Sequence, residues 1–277
     1  MSLKEMLKGF LRDHIAMRFT QVRDFEKERF VDEAARMIAD EADARNLDDT
    51  SKHYLLYKIQ RTLLPDFVIA DYGRTLLQDG RFRDIFQRFS GDNWTSFERK
   101  WNLKELLRLT NVVRGDYAEC GVFRGGSAYL MCESAALNNR TVHLFDSFEG
   151  LSKPQSHEDF HWSEGDLAVG EETVLSNLSE FNNFRTYRGW IPDRFPEVAG
   201  LTFSFVHVDV DLEQPTRDSI AFFYPRLSQG GILLLDDHGS AMCPGARAAA
   251  LDYFAEKGES VLDLATGQGL VIRQRPH

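Results

Sequence analysis

An α/β fold on a seven-stranded sheet, mostly parallel and ending in an antiparallel hairpin, is what this 277-residue sequence predicts. Three observations carry that expectation. From Asp116 onward, strand-like and helix-like segments alternate, the pattern of a parallel sheet covered by helices. Runs such as Ile232-Leu-Leu-Leu235 are apolar without a break, as suits strands buried on both faces. The last two strand-like segments are joined by Ala265-Thr-Gly-Gln-Gly269, a turn-rich link of hairpin type.

The N-terminal stretch to about residue 105 reads as helical, without a strong strand, and is expected to form a lid or oligomer contacts. Phe10, Leu11, Ile15 and Phe19 recur at helical spacing, as do Ala34, Ala35, Ile38 and Ala42. Tyr54 to Leu64 forms a further apolar segment that Pro65 closes. Arg81 to Phe89 follows, and the aromatics here suit a core or a subunit contact better than a ligand. A helix over 101–113 leads into the sheet. Residues 106–277 are expected to form the α/β domain, with strands at 117–120, 141–145, 184–187, 202–210, 231–235, 259–264 and 270–273. Helices are expected at about 127–138, 171–180, 215–227 and 245–257. Residues 148–170 make a long loop, a candidate lid.

Composition narrows the function. The net charge is −10 and no basic stripe stands out, so neither nucleic acid nor an anionic membrane is an expected partner. Cys120, Cys132 and Cys243 show no CxxC spacing and suit buried thiols in a reducing cytoplasm. Charged residues interrupt every apolar run near the N-terminus, and no segment is long and apolar enough to span a bilayer.

The stretch Glu119-Cys-Gly121-Val-Phe123-Arg124-Gly125-Gly126-Ser127 reads as a strand end, a glycine turn and a helix start. Glycines permit close approach of a ligand, and the helix N-terminus suits an anionic group. A dinucleotide fingerprint would be G-x-G-x-x-G. Here an acid precedes the first glycine, placed badly for a pyrophosphate but well for an ammonium group. Asp146 and Ser147 end the second strand, where a carboxylate accepts hydrogen bonds from a ribose diol. Acids at two successive strand ends fit S-adenosylmethionine, with Trp190 near the third strand end available to stack on adenine. Taken singly, Glu119 also fits a loop-stabilising carboxylate and Asp146 a helix N-cap.

The fourth strand ends in Asp209-Val-Asp211-Leu-Glu213 and the fifth in Asp236-Asp237-His238. Adjacent strand ends bring four carboxylates together, which raises their pKa values unless a cation binds. An all-oxygen set favours Mg²⁺, Ca²⁺ or Mn²⁺ over zinc.

Residues 106–273 resemble the macrocin O-methyltransferase family of metal-dependent sugar O-methyltransferases. The matching pieces are Glu119-Cys-Gly-Val-Phe-Arg-Gly-Gly, Asp146-Ser-Phe-Glu-Gly-Leu, Asp209-Val-Asp211-Leu-x-x-x-Thr216, Tyr224-Pro-x-Leu-x-x-Gly-Gly231, Asp236-Asp237 and Thr266-Gly-Gln-Gly. The family's central Asp-Gly-Asp is Asp209-Val210-Asp211 here, and Glu213 stands where an aromatic is common. The resemblance implies a Rossmann-like class I methyltransferase fold, with Mg²⁺ on Asp209, Asp236 and Asp237 and Asp211 as general base. A fourth metal ligand or a hydroxyl acceptor is the other role open to Asp211. The acceptor is expected to be a hydroxyl of a small molecule or glycan, and the assembly a homo-oligomer. The alternatives are a catechol or phenol O-methyltransferase, or a non-catalytic cofactor-binding scaffold.

Overall fold

The computed structural model describes residues 25–66, 75–90 and 96–274. The chain divides into two compact units, residues 1–78 and 79–277. In the first unit, α1 (Phe25–Ala44) and α2 (Asp49–Leu63) carry the periodic apolar residues expected of them. Asp48 caps α2 by accepting from the Ser51 N–H, and Pro65 follows its end. The periodicity at 10–19 lies outside the described residues.

The second unit starts with α3 (Gly80–Phe89) and α4 (Phe97–Leu109), capped by Asp79 and Ser96. These helices pack on the sheet core. Phe82, Phe89, Leu103 and Leu107 join Met131, Leu144 and Phe205 in one cluster. The strands are β1 (Asp116–Cys120), β2 (Val142–Asp146), β3 (Phe184–Arg188), β4 (Phe203–Val208), β5 (Leu227–Leu235), β6 (Leu262–Asp263) and β7 (Gly269–Ile272). Their order is β3-β2-β1-β4-β5-β7-β6, with β1 to β5 parallel and β7 antiparallel to both neighbours. This is the expected seven-stranded outline. The hairpin is shorter than the sequence suggests on its outer side: β6 keeps two exposed residues at the sheet edge. β5 starts earlier than expected, at Leu227, because Gly230 and Gly231 continue the strand.

Helices α5 (Gly126–Ala136) and α6 (Glu171–Asn177) fall between β1, β2 and β3. Helix α7 (Glu213–Phe223) follows β4, and α8 (Pro244–Phe254) follows β5. The period of two along each strand divides the core. Tyr117, Leu144, Phe205 and Leu234 face α3, α4 and α5, while Ala118, Phe145, Val206 and Leu235 face the cluster of Phe223 and Phe254. The same period places Glu119, His207 and Asp236 on the α4 side.

β1 lies between β2 and β4, so the strand order reverses direction there. Ligands in open α/β sheets bind in the crevice outside the strand ends at such a point. Gly121 makes the crevice possible. Its φ is +82°, and a Cβ there would lie 1.8 Å from the Asp209 carbonyl oxygen. The ends of β1 and β4 meet backbone to backbone.

Candidate functional site

One cleft opens over these strand ends. Gly121, Phe123, Arg124, Ser127, Asp146, Ser147, Trp190, Asp209, Asp211, Asp236 and Asp237 all line it. Two residues expected there do not. Gly125 sits behind the loop, in left-handed conformation, as the N-cap of α5. Glu119 is only 1% exposed and lies beneath the cleft floor.

On the β1–β2 side the loop is organised by Asp146. One carboxylate oxygen accepts from the Val122 and Phe123 N–H groups at 2.7 and 3.3 Å, and the other from Phe148 N–H at 2.7 Å. Burial pushes the Asp146 carboxyl up, and the three N–H donors oppose that rise. Ser147 donates to the Gly150 carbonyl and accepts from the Glu149 N–H. Trp190 is 38% exposed, its indole available at the rim.

The strand ends of β1, β4 and β5 carry a buried polar chain that the sequence reading missed in part. His207 Nδ1 is 2.9 Å from Glu119 Oε1, and Nε2 is 3.3 Å from Asp236 Oδ1. Burial disfavours the imidazolium, but Asp236 and Glu119 outweigh it and push the pKa up to about 9. Both ring nitrogens therefore donate. Glu119 and His207 are register partners in adjacent strands, so the carboxylate pairs sideways. Gln268 Nε2 adds a hydrogen bond to Asp236 Oδ1 at 2.8 Å, and Arg99 binds Oδ2 at 3.0 Å. Lys100 lies 3.7 Å from Asp209 Oδ2 and donates to Ser127 Oγ. Arg99 and Lys100 come from α4, on the face of the sheet to which Glu119, His207 and Asp236 point.

Among the described residues no cation pairs directly with Asp211 or Asp237, which feel Arg99 only from a distance. Asp211 is pushed up to about 7 by burial and by Asp209. Asp237 is pushed well above the usual carboxylate range by burial, Asp211 and Asp209. Asp211 has φ of +59°, in a three-residue turn closed by the Leu212 N–H to the Val210 carbonyl at 2.5 Å. Strain of this kind gathers at functional sites. The Asp211 N–H donates to Asp237 Oδ2 at 3.0 Å, and Cys243 Sγ donates to Asp211 Oδ1 at 3.4 Å. Trp162, from the 148–170 loop, in turn donates to Cys243 Sγ.

Potential metal-ligating atoms fall into two groups within 4.8 Å among the described residues: His207, Asp209 and Asp236, and Asp211, Asp237 and Cys243. His207, with hydrogen-bond partners at both ring nitrogens, would have to give up a proton and a partner to ligate. With all five ionised, Glu119, Asp209, Asp211, Asp236 and Asp237 would exceed Arg99, Lys100 and His207 by two negative charges, an excess that the raised pKa values of Asp211 and Asp237 relieve by retaining protons. The carboxylate oxygens suit a hard divalent cation, with Asp209 and Asp236 in one group and Asp237 in the other. His238 does not line the cleft: it is buried against Gly269, and burial lowers its pKa.

Two loop histidines take no part. His157 pairs with Glu158 at 3.0 Å, and His161 packs edge-on against Trp162. Of the residues missed, His207 has a legible signal: it is the polar residue in an apolar strand, two positions before Asp209. Arg99 and Lys100 have only their adjacency.

Comparison with known proteins gives the family and the fold. Residues 94–261 match the model of Macrocin-O-methyltransferase (TylF). The 8-demethyl-8-(2,3-dimethoxy-alpha-L-rhamnosyl)-tetracenomycin-C 4'-O-methyltransferase of Streptomyces olivaceus is 31% identical over 230 residues, covering 74% of this chain and 87% of that protein. The demethyldecarbamoylnovobiocin O-methyltransferase of Streptomyces niveus is 29% identical, covering 70% of this chain and 86% of that protein. Among solved structures, the O-methyltransferase NovP superposes with a TM-score of 0.58 at 28% identity, covering 65% of this chain and 81% of NovP. CalS11, the calicheamicin methyltransferase, shares the fold with a TM-score of 0.57 at 17% identity, over 82% of this chain and 94% of that one. The match over residues 94–261 and the 31% identical relative place this chain in the macrocin O-methyltransferase family, and it is an O-methyltransferase of class I fold.

Proposed function

We propose that this protein transfers the methyl group of S-adenosylmethionine to a hydroxyl of a sugar or glycosylated molecule, with Mg²⁺ as the metal. The observation that carries this reading is the convergence of Asp209, Asp211, Asp236 and Asp237 in the same cleft as the glycine loop. Sugar-bearing acceptors are named for related enzymes, the rhamnosyl tetracenomycin among them.

Asp209, Asp236 and Asp237 would hold the ion in this reading. Mg²⁺ bound there supplies the electrostatic pull that makes an acceptor hydroxyl acidic and fixes its position. The chain's own residues do the rest. Asp211 takes the hydroxyl proton, its carboxylate steered by the Cys243 donor and the turn at 210–212. The loop from Gly121 to Ser127 and Asp146 hold the donor with its methyl facing the acceptor. The acceptor oxygen then forms a bond to the methyl carbon as the sulfur–methyl bond breaks, leaving a neutral thioether. Most of the acceleration comes from orientation. Assays of sugars and catechols as acceptors, with EDTA and then with added Mg²⁺, test the proposal. Activity that survives EDTA, or full activity in Asp236→Ala with Asp237→Ala, removes the metal from the mechanism. Turnover confined to catechols moves the acceptor class.

A further inference from the structure

We infer that Lys100 recognises the carboxylate at the amino-acid end of the methyl donor, a role that rests on the donor reading above. Lys100 lines the cleft at the seam between the glycine loop and the acid cluster, and its side chain is 14% exposed. It donates to Ser127 Oγ, at the second residue of α5. An ammonium group has three donors. One is on Ser127. Asp209, at 3.7 Å, is within ion-pair range but beyond a hydrogen bond, so a donor remains for a ligand. The N-terminus of α5 supports the same ligand type. Its N-cap is Gly125, which has no side chain to cap the first-turn N–H groups, so those groups and Lys100 together form a cationic corner.

Glu119, below the cleft floor, helps to keep Lys100 charged. Glu119 Oε2 is buried and has no hydrogen-bond partner. Its sister oxygen is taken by His207. An unpaired buried carboxylate oxygen is costly unless a donor reaches it. Lys100 and Glu119 are close enough to interact electrostatically. A purely structural Lys100, there only to balance Asp209 and Asp236, makes no distinction between donor fragments. That difference is measurable.

The probes are S-adenosylhomocysteine, which keeps the amino-acid end, and 5'-methylthioadenosine, which lacks it. Calorimetry on the full chain in EDTA reads both affinities without turnover. In Lys100→Met, S-adenosylhomocysteine is expected to weaken by roughly tenfold and 5'-methylthioadenosine to stay within about twofold. Lys100→Arg, which keeps a cation, restores most of the loss. Equal weakening of both ligands, or of neither, overturns the assignment. If the wild-type chain binds S-adenosylhomocysteine no more tightly than 5'-methylthioadenosine, the assignment falls and the donor reading stands. If it binds neither, both fall. Should Lys100→Met not fold, Lys100→Gln is the second variant, with the same selective loss expected.

Discussion

His207 donates from Nδ1 to Glu119 at 2.9 Å, and these two residues face each other across the β1–β4 pair with essentially no solvent exposure. Through its second nitrogen the same ring reaches Asp236. One imidazolium thus links the strand end beneath the donor loop with the strand end that carries the acids.

Removing that ring leaves two buried carboxylates without their shared donor. His207→Ala is expected to lower stability by about 3–5 kcal/mol, read by urea unfolding. The pH dependence has a definite sign. The folded-state pKa is raised from 6.5 to about 9, so the stabilisation is complete below pH 6.5. It is lost as pH rises through about 9. Thermal midpoints between pH 6 and 9.5 in EDTA should fall across that window in the wild type and less in the variant. Parallel curves for the two proteins contradict the ion pair.

Asp211 sits at about 7 in the cation-free protein, and a nearby cation pulls it lower. A base works only when deprotonated. With Mg²⁺ present, kcat should therefore rise with pH along a limb centred at or below about 7 and then level off. Asp211→Asn should lower kcat by about 10²–10⁴-fold while donor binding stays unchanged. A kcat that keeps its magnitude and its acid limb in Asp211→Asn removes Asp211 from proton transfer.

Protons held on Asp211 and Asp237 should leave when a divalent cation binds, because ligation favours the charged form. Titration calorimetry of Mg²⁺ at pH 6.5 in buffers of different ionisation heat measures that release. The binding heat should vary with the buffer, and Asp237→Asn should reduce the variation. A heat that is the same in every buffer rules out proton release.

Gly121→Ala should be among the most disruptive single changes in the loop. The new methyl group meets a backbone carbonyl rather than a movable side chain, and φ is +82°. A loss of at least about 2 kcal/mol is expected in urea unfolding, with weakened S-adenosylhomocysteine binding. Unaltered stability would show that β1 and β4 can separate at little cost.

Most of the fold was legible because its signals are local. The apolar runs at 203–208 and 231–235 and the glycine turn at 265–269 each specify their own element. The acids at 209, 211, 236 and 237 were legible for the same reason: they follow strand ends. What stayed hidden depends on which strands become neighbours. Glu119 looks like a ligand-facing acid until β1 pairs with β4 and sets His207 beside it. Arg99 and Lys100 stand in a helix before the sheet, more than 100 residues from Asp209 and Asp236, and no local pattern ties them together. Cys243 reads as a small buried residue, which it is, while its contact with Asp211 comes from the packing of the strand β5 exit against the β4 exit.

The long segment after β2 is tethered more firmly than its length suggests. Asp159 accepts from the Glu213 N–H at the start of α7, and Trp162 is buried against Cys243. Those anchors reduce the conformational entropy the segment has left to lose when an acceptor enters. Association is then governed by encounter with a preorganised mouth rather than by a slow rearrangement of chain. Loosening either anchor should show itself first in the association rate.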